Sequence, residues 1–421
     1  MFVEALTPEK EHVFDVIIVG GGMVGLSAAL GFAKLGLSVA VLEAHKLSVS
    51  GVPETPSFDS RSTALSYGSR KILEDLGVWS AMADLVSPIS SVHVSQKGMM
   101  GVSRMTAAEM NCPELGYVAP NQVIGASLLQ ALSNYPVILL SECQLESIES
   151  GEVQSFVGVK QLDKTSLQLL TTLLVIADGS MSTTAGLVGI DYSIQPYQQH
   201  AVIANVTFRQ PHSGVAYERF TQRGPLALLP LKDRNMSLVW TIPDDDIAWY
   251  ESASDAAFIA RLQKVFGDRL GEIERVGVRV SYPLQLVQAK ELYRRGLLVL
   301  GNAAHSLHPV AGQGFNLALR GVARAIESIA IGVESGVPIS SPNLLGEAIE
   351  AHQQDQKITV GLSDQLVKKF SQSSPLLGLI RDAGIVGLNN SPLPKKMFTQ
   401  QTMGQATRQV PLSRYFSERS V

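Results

Sequence analysis

Asp15-Val16-Ile17-Ile18-Val19-Gly20-Gly21-Gly22-Met23-Val24-Gly25, continued by Leu26 to Leu35 and then by Leu37 to Glu43, is the stretch that decides the fold. After Asp15, its residues Val16 to Val19 are apolar and β-branched and end at glycine, the pattern of a strand covered on both faces. Leu26 to Leu35 has helical spacing and good helix formers, and Leu37 to Leu42 reads as a second strand ending at Glu43. A strand, a turn, a helix and a strand within about thirty residues predict the opening of a doubly wound parallel sheet. Gly20, Gly22 and Gly25 fit G-x-G-x-x-G: the first allows a tight turn, the second a close approach of backbone to a pyrophosphate, the third close packing. The anion would sit on the unpaired N–H groups of the helix start. Glu43, 18 residues after Gly25 at a strand end, is placed to accept ribose hydroxyls.

The rest of the chain sets the frame. Its 421 residues suffice for a large interleaved α/β body, and 45% hydrophobic against 17% charged residues excludes global disorder. Two cysteines, Cys112 and Cys143, can form neither a disulfide framework nor a four-cysteine zinc site, so a reducing compartment such as the cytoplasm is expected. A net charge of −4 with no basic arm argues against nucleic acid as a partner. Val16 to Ala33 is an uncharged run of 18 residues, but its five glycines and acidic approach mark a buried strand, turn and helix, not a membrane span. Further on, Ala201 to Phe208, Val215 to Thr221, Pro225 to Pro230 and Met236 to Thr241 read as strands of an antiparallel sheet. Leu297 to Gly301 reads as a strand, Gly314 to Gly332 as a helix, and the last eighty residues as mostly helical.

Two later clusters separate FAD from NAD as the dinucleotide. Ile176-Ala177-Asp178-Gly179-Ser180 ends a strand-like run from Leu173, and Leu300-Gly301-Asn302-Ala303-Ala304-His305-Ser306-Leu307-His308-Pro309-Val310-Ala311-Gly312-Gln313-Gly314-Phe315-Asn316 runs from a strand end through small residues to a helix start. Such a loop can lay N–H groups against a flat ring, and the helix start can stabilise negative charge developing there. With the glycine motif, these clusters resemble the FAD-dependent aromatic hydroxylases related to 4-hydroxybenzoate hydroxylase. Ala216-Tyr217-Glu218-Arg219-Phe220-Thr221-Gln222, Gly224 to Pro230, Ser237 to Thr241, Asp364 to Phe370, Arg381 and Met403-Gly404 extend the likeness to the ubiquinone-biosynthesis branch.

The resemblance implies a Rossmann-like FAD-binding domain (13–75, 110–185 and 286–345) interleaved with a mixed or antiparallel substrate sheet (76–109 and 186–285) and a helical C-terminal region (346–421). It implies FAD held by Gly20, Gly22, Gly25, Glu43, Arg61, Gln122, Asp178, Gly179, Gly301, Asn302, Pro309, Gly312, Gly314, Phe315 and Asn316. It also implies NAD(P)H as a transient donor, O₂ as co-substrate, and hydroxylation of a polyprenylated phenol through a flavin C4a-hydroperoxide. The chemistry is then the cofactor's; the loop with Pro309, Gly312 and Gly314 positions the flavin, and no side chain is singled out as catalytic. Two departures, Asn302 for the family's aspartate and Ala185 for an arginine, resemble the branch that hydroxylates 2-polyprenyl-6-methoxyphenol. Another ubiquinone-pathway hydroxylase, a soluble aromatic-acid hydroxylase and a non-catalytic flavoprotein scaffold remain as alternatives.

His305 and His308 have H-x-x-H spacing, but no acidic neighbour offers a third ligand, so no metal is expected. Leu376 to Met397, with Lys395 and Lys396, reads as a helix packed on the flavin-binding part, with peripheral contact to a membrane as the second reading. Membership of a ubiquinone-biosynthesis protein complex is a further implied partnership.

Overall fold

The computed structural model describes residues 6, 11–47, 59, 61–162, 165–306, 312–370, 384, 386–387 and 389–416. Pro309, His308, Arg381 and most of 376–388 lie outside the described residues.

An eight-stranded sheet is built on His12–Val19, flanked in parallel by Ser166–Ile176 and Val39–Leu42, with Leu297–Val299 and Ile138–Leu140 next outward and also parallel. Alternation of side chains explains why these strands are apolar throughout. Val16, Ile18, Val41, Leu173 and Val175 face one core with helices Met23–Lys34 and Gln313–Ser335. Ile17, Val19, Leu42, Leu174 and Ile176 face a second core with Val157, Ala185 and Val299. Each buried Val, Leu or Ile side chain contributes roughly 1.5–3 kcal/mol. Ala185 is wholly enclosed there, which explains why the position holds no arginine.

A nine-stranded sheet lies beyond. Tyr192–Phe208 pairs antiparallel with Asn235–Pro243 and Val280–Ala289, and the sheet continues through Gly224–Pro230 and Val215–Thr221. Val215–Thr221 then pairs in parallel with Ser91–Gln96, so the sheet is mixed, whereas the strand spacing alone suggests an antiparallel one. Leu226, Leu228, Leu238, Trp240 and Phe208 on its outer face pack under helices Ile247–Ser252 and Asp255–Phe266 through Phe258, Leu262 and Phe266. Its inner face turns toward the first sheet. His305–Ser306, expected with the flavin-binding part, instead adds as an edge strand to Val280–Ala289 of the second sheet.

A three-stranded sheet, Ser62–Ser66, Gly116–Pro120 and Ser87–Ile89, lies beside the other two. The long helices Gln313–Ser335 and Pro342–Phe370 pack together around the buried pair Arg320–Asp355. The C-terminal segment is held by Glu327, which accepts hydrogen bonds from Arg408 and the Tyr415 hydroxyl. Among the described residues, no helix is long and apolar enough to cross a membrane.

Candidate active site

The glycine turn is closed by its own backbone. Gly20 has φ +110°, and a Cβ there would lie 2.4 Å from the Ala177 carbonyl oxygen. A Cβ on Gly25 would lie 1.9 Å from the Gly20 carbonyl oxygen, so this glycine is required by the turn itself and not by contact with a ligand. The helix Met23–Lys34 starts at Gly22 with no side-chain cap and no acidic residue in its first turn. Its first N–H groups are therefore available to an anion. Glu43 closes the turn from the side, accepting from the Gly21 N–H at 2.7 Å through Oε2 and from the His45 N–H at 2.9 Å through Oε1. Oε1 also meets His45 Nδ1 at 3.0 Å, so Oε2 is the oxygen that keeps a lone pair for a further donor.

The second helix start has the same character. Gly312, φ +59°, caps Gln313–Ser335, again without a side-chain cap or an acidic first turn. Asn316 fixes it: Nδ2 donates to the Ala64 and Gly312 carbonyls at 2.8 Å, and Oδ1 accepts from the Ser66 N–H at 2.8 Å. Asn316 is thus a brace for the loop, joined to the Ser62–Ser66 strand.

Both helix starts open on one cleft of about 1340 Å³. That exceeds the 300–1,000 Å³ common for small-molecule sites. Of the residues expected to bind cofactor, Gly20, Gly22, Glu43, Arg61, Asp178, Gly179, Asn302, Gly312, Gly314, Phe315 and Asn316 line it. Gly25, Gly301 and Gln122 are not among the lining residues. Gly301 instead packs on Val24, and the wall next to Gln122 is Asn121, which accepts a hydrogen bond from Thr63 Oγ1 at 2.7 Å. Arg61 pairs with Asp59 at 2.6 Å and stands 4.9 Å from the Tyr282 ring, bridging toward the nine-stranded sheet.

Asp178 supplies the strongest test of ligand fit. Its Oδ2 accepts from the Thr184 N–H at 3.4 Å, while the buried Oδ1 has no hydrogen-bond partner among the described residues. An orphaned carboxylate oxygen is costly unless a ligand donor meets it. Two uncapped helix starts on one cleft, the tight glycine turn that opens the first of them and this oxygen fit a dinucleotide.

Lining residues not singled out in the sequence include Asn121, Cys143, Thr184 and Glu218. Burial pushes the Cys143 thiol up to about 11, so it stays protonated near neutral pH. Glu218 lies in the sheet wall, and burial raises its carboxyl to about 8. Among the described residues, no three His, Cys, Asp or Glu side chains gather as metal ligands.

His305 is buried in the edge strand His305–Ser306, its ring 5.7 Å from that of His352. Burial lowers His305 to about 4 and His352 to about 3, so both are neutral in the folded chain. The unfolded chain takes up these protons below about pH 6.5. Stability from this pair is therefore full above pH 6.5 and is lost as pH falls toward 4 and then 3. The slope is about 1.4 kcal/mol per pH unit per imidazole. Thermal melts should fall steeply from pH 6.5 to 4, and a His352→Gln variant should show a shallower fall; equal slopes would contradict this.

Residues 13–334 match the family model described as FAD binding domain. Ubiquinone hydroxylase UbiL of Rhodospirillum rubrum is 30% identical over 95% of this chain and 91% of its own length. The 3-demethoxyubiquinol 3-hydroxylase of Escherichia coli is 29% identical over 93% of this chain and 98% of its own. Among solved structures, p-nitrophenol 4-monooxygenase PnpA from Pseudomonas putida DLL-E4 superposes with a TM-score of 0.78 at 18% identity, covering 95% of this chain and all of that one. This last likeness concerns the fold.

Proposed function

From the premise that this chain belongs to the FAD binding domain family, we propose that it is a flavin-dependent hydroxylase of a polyprenylated phenol in ubiquinone biosynthesis, with 2-polyprenyl-6-methoxyphenol as the preferred substrate class. One observation carries the reading. Gly22, Asp178 and Gly312, far apart in sequence, line a single cleft whose far wall is the inner face of the nine-stranded sheet.

In this reading the turn Gly20 to Gly25 and the Met23–Lys34 helix start hold the pyrophosphate, Glu43 the ribose, and Asp178 Oδ1 a donor on the dinucleotide. Asn302 and the Gly312 to Phe315 helix start hold the ring system, with Asn316 bracing the loop. When bound, FAD supplies reduction by NAD(P)H and delivery of one oxygen atom from O₂ to the substrate ring. The sheet wall does the rest: Ile203, Ala227, Leu229 and Val239 give an apolar surface that orients the substrate and excludes water. Each tail CH₂ buried contributes roughly 0.8 kcal/mol, so a polyprenyl chain is a strong handle. A tail of this kind resides in a membrane. The helix Pro392–Thr402, with Leu393, Lys396 and Met397 exposed, supports peripheral contact from the cytoplasmic side.

The test is incubation of the flavin-loaded chain with NAD(P)H, O₂ and prenylated phenols, with products identified by mass. A product heavier by one oxygen is expected. FAD binding without any turnover would favour a scaffold and contradict the reading. Asp178→Ala removes the waiting acceptor, worth roughly 1.5–3 kcal/mol for a charged hydrogen bond. It should weaken FAD binding roughly 10- to 100-fold while the flavin-free chain melts no lower than wild type. An unchanged Kd in an FAD titration would contradict the assignment.

A further inference from the structure

Across the inner face of the nine-stranded sheet, strand pairing aligns one row of cleft-lining residues: Ile203, Val239, Ala227, Glu218, Val94 and Ser103. Four are aliphatic, and one carries a carboxyl. We propose that Glu218 is a catalytic residue of this cleft, the acceptor of the ring-hydroxyl proton of a phenolic substrate; the inference rests on the phenol hydroxylase reading above.

The surroundings leave Glu218 without another task. It has no ion pair or hydrogen bond among the described residues, and its immediate cross-strand neighbours, Ala227 and Val94, carry no charge. On the same strand Tyr217 and Arg219 turn to the outer face, Arg219 donating to the Val265 carbonyl and Ser95 Oγ, while His93 contacts the Tyr217 ring. The other ionisable groups lining the cleft belong elsewhere. Glu43, His45, Cys143 and Asp178 adjoin the eight-stranded sheet, and Arg61 is paired with Asp59. The described C-terminal residues that line the wall are Gly384, Phe398, Thr399, Thr402 and Met403, all uncharged.

An unpartnered carboxyl in an apolar wall destabilises the free protein, and such groups concentrate where chemistry needs them. Part of Glu218 opens on the cleft while protein encloses the remainder, and this burial raises its pKa to about 8. A phenol near 10 then gives up its proton at a disadvantage of about a hundredfold, against about a millionfold for an ordinary carboxylate near 4. The exchange balances without an oxidant. The phenol O–H bond breaks, a carboxyl O–H bond forms on Glu218, and the phenoxide pushes electron density into the ring carbons that will be hydroxylated. When the hydroxylated ring regains aromaticity, its oxygen takes this proton back and the ring carbon releases its own.

The experiment uses the flavin-loaded full chain with a short-tailed 2-prenyl-6-methoxyphenol. The pH profile of kcat is measured, with Kd and Tm alongside, for wild type, Glu218→Gln, Glu218→Asp and Glu218→Met. Wild-type kcat should rise with pH through about 8, as Glu218 loses its own proton and becomes able to accept one. Glu218→Gln should bind the phenol with a Kd near wild type, lose that transition and lose kcat by about 10²–10⁴-fold. Glu218→Asp should recover part of both, and Glu218→Met should raise Tm, the reverse of what loss of a structural residue gives. Wild-type turnover with an unchanged pH profile and kcat in Glu218→Gln would overturn this inference alone, as would a Glu218→Met chain that melts below wild type. A wild-type chain that binds no prenylated phenol would overturn the substrate reading and this inference with it.

Discussion

Gly25→Ala is expected to yield a chain that retains no flavin and is destabilised by about 3 kcal/mol or more. The new Cβ would lie 1.9 Å from the Gly20 carbonyl oxygen and 3.4 Å from Ile18 Cγ2. The carbonyl has nowhere to retreat. Gly20 N is bonded to the Leu42 carbonyl at 2.8 Å, and Gly20 itself sits against Ala177. Relief must therefore come from moving the first turn of the Met23–Lys34 helix, the part that presents its N–H groups to the pyrophosphate. Gly314→Ala is the useful contrast, because a Cβ there meets no protein atom within 4 Å although the residue lines the cleft. It should keep the wild-type Tm and alter only flavin binding. Flavin absorbance per chain and a thermal melt distinguish the two; a Gly25→Ala chain with full flavin content and wild-type Tm would contradict the account of the turn.

Asp355→Ala should be the most damaging change outside the cleft, costing about 3–5 kcal/mol. Arg320 Nε and Nη2 both reach this carboxylate, and the two side chains are each only 7% exposed. Removing Asp355 leaves a guanidinium charge enclosed between the two long helices. The penalty arises from the orphaned charge more than from the lost attraction. The double variant Arg320→Met with Asp355→Leu should therefore recover most of the stability. Urea unfolding of the three chains checks this, and a double variant as unstable as Asp355→Ala would contradict it. Because Arg320 lies on the helix that begins at Gly312, the single variant should also loosen flavin binding.

The parallel core was legible because its residues obey one rule over a short span: β-branched runs, then glycine, then good helix formers. Long-range pairing was less so. The strand read as Ala201 to Phe208 begins at Tyr192, since its first half carries polar, exposed residues such as Gln195 and is held by pairing with Val280–Ala289 and by a bulge after Pro196. Gln122, where relatives carry an arginine, does not line the cleft while its neighbour Asn121 does; a matched position in sequence does not say which of two adjacent amides turns inward. The glycine motif assigns Gly25 to close packing, whereas the contact that forbids a side chain is with the turn's own carbonyl. Glu218 stands in a strand whose two faces both carry charge, Glu218 on one and Arg219 on the other. Only the closure of the inner face against the flavin-binding sheet makes its charge expensive. His352 gave no signal at all, because its partner His305 comes from a distant segment.

The central claim is that three distant segments grip one FAD beside an apolar hollow. Titration of the flavin-free chain with FAD, followed by a prenylated phenol, examines it most directly. The account predicts saturation at one FAD per chain, weakened by Asp178→Ala, and a flavin spectrum that shifts when the phenol enters. A chain that binds no FAD, or binds it equally well without the Asp178 carboxylate and indifferently to the phenol, would contradict it.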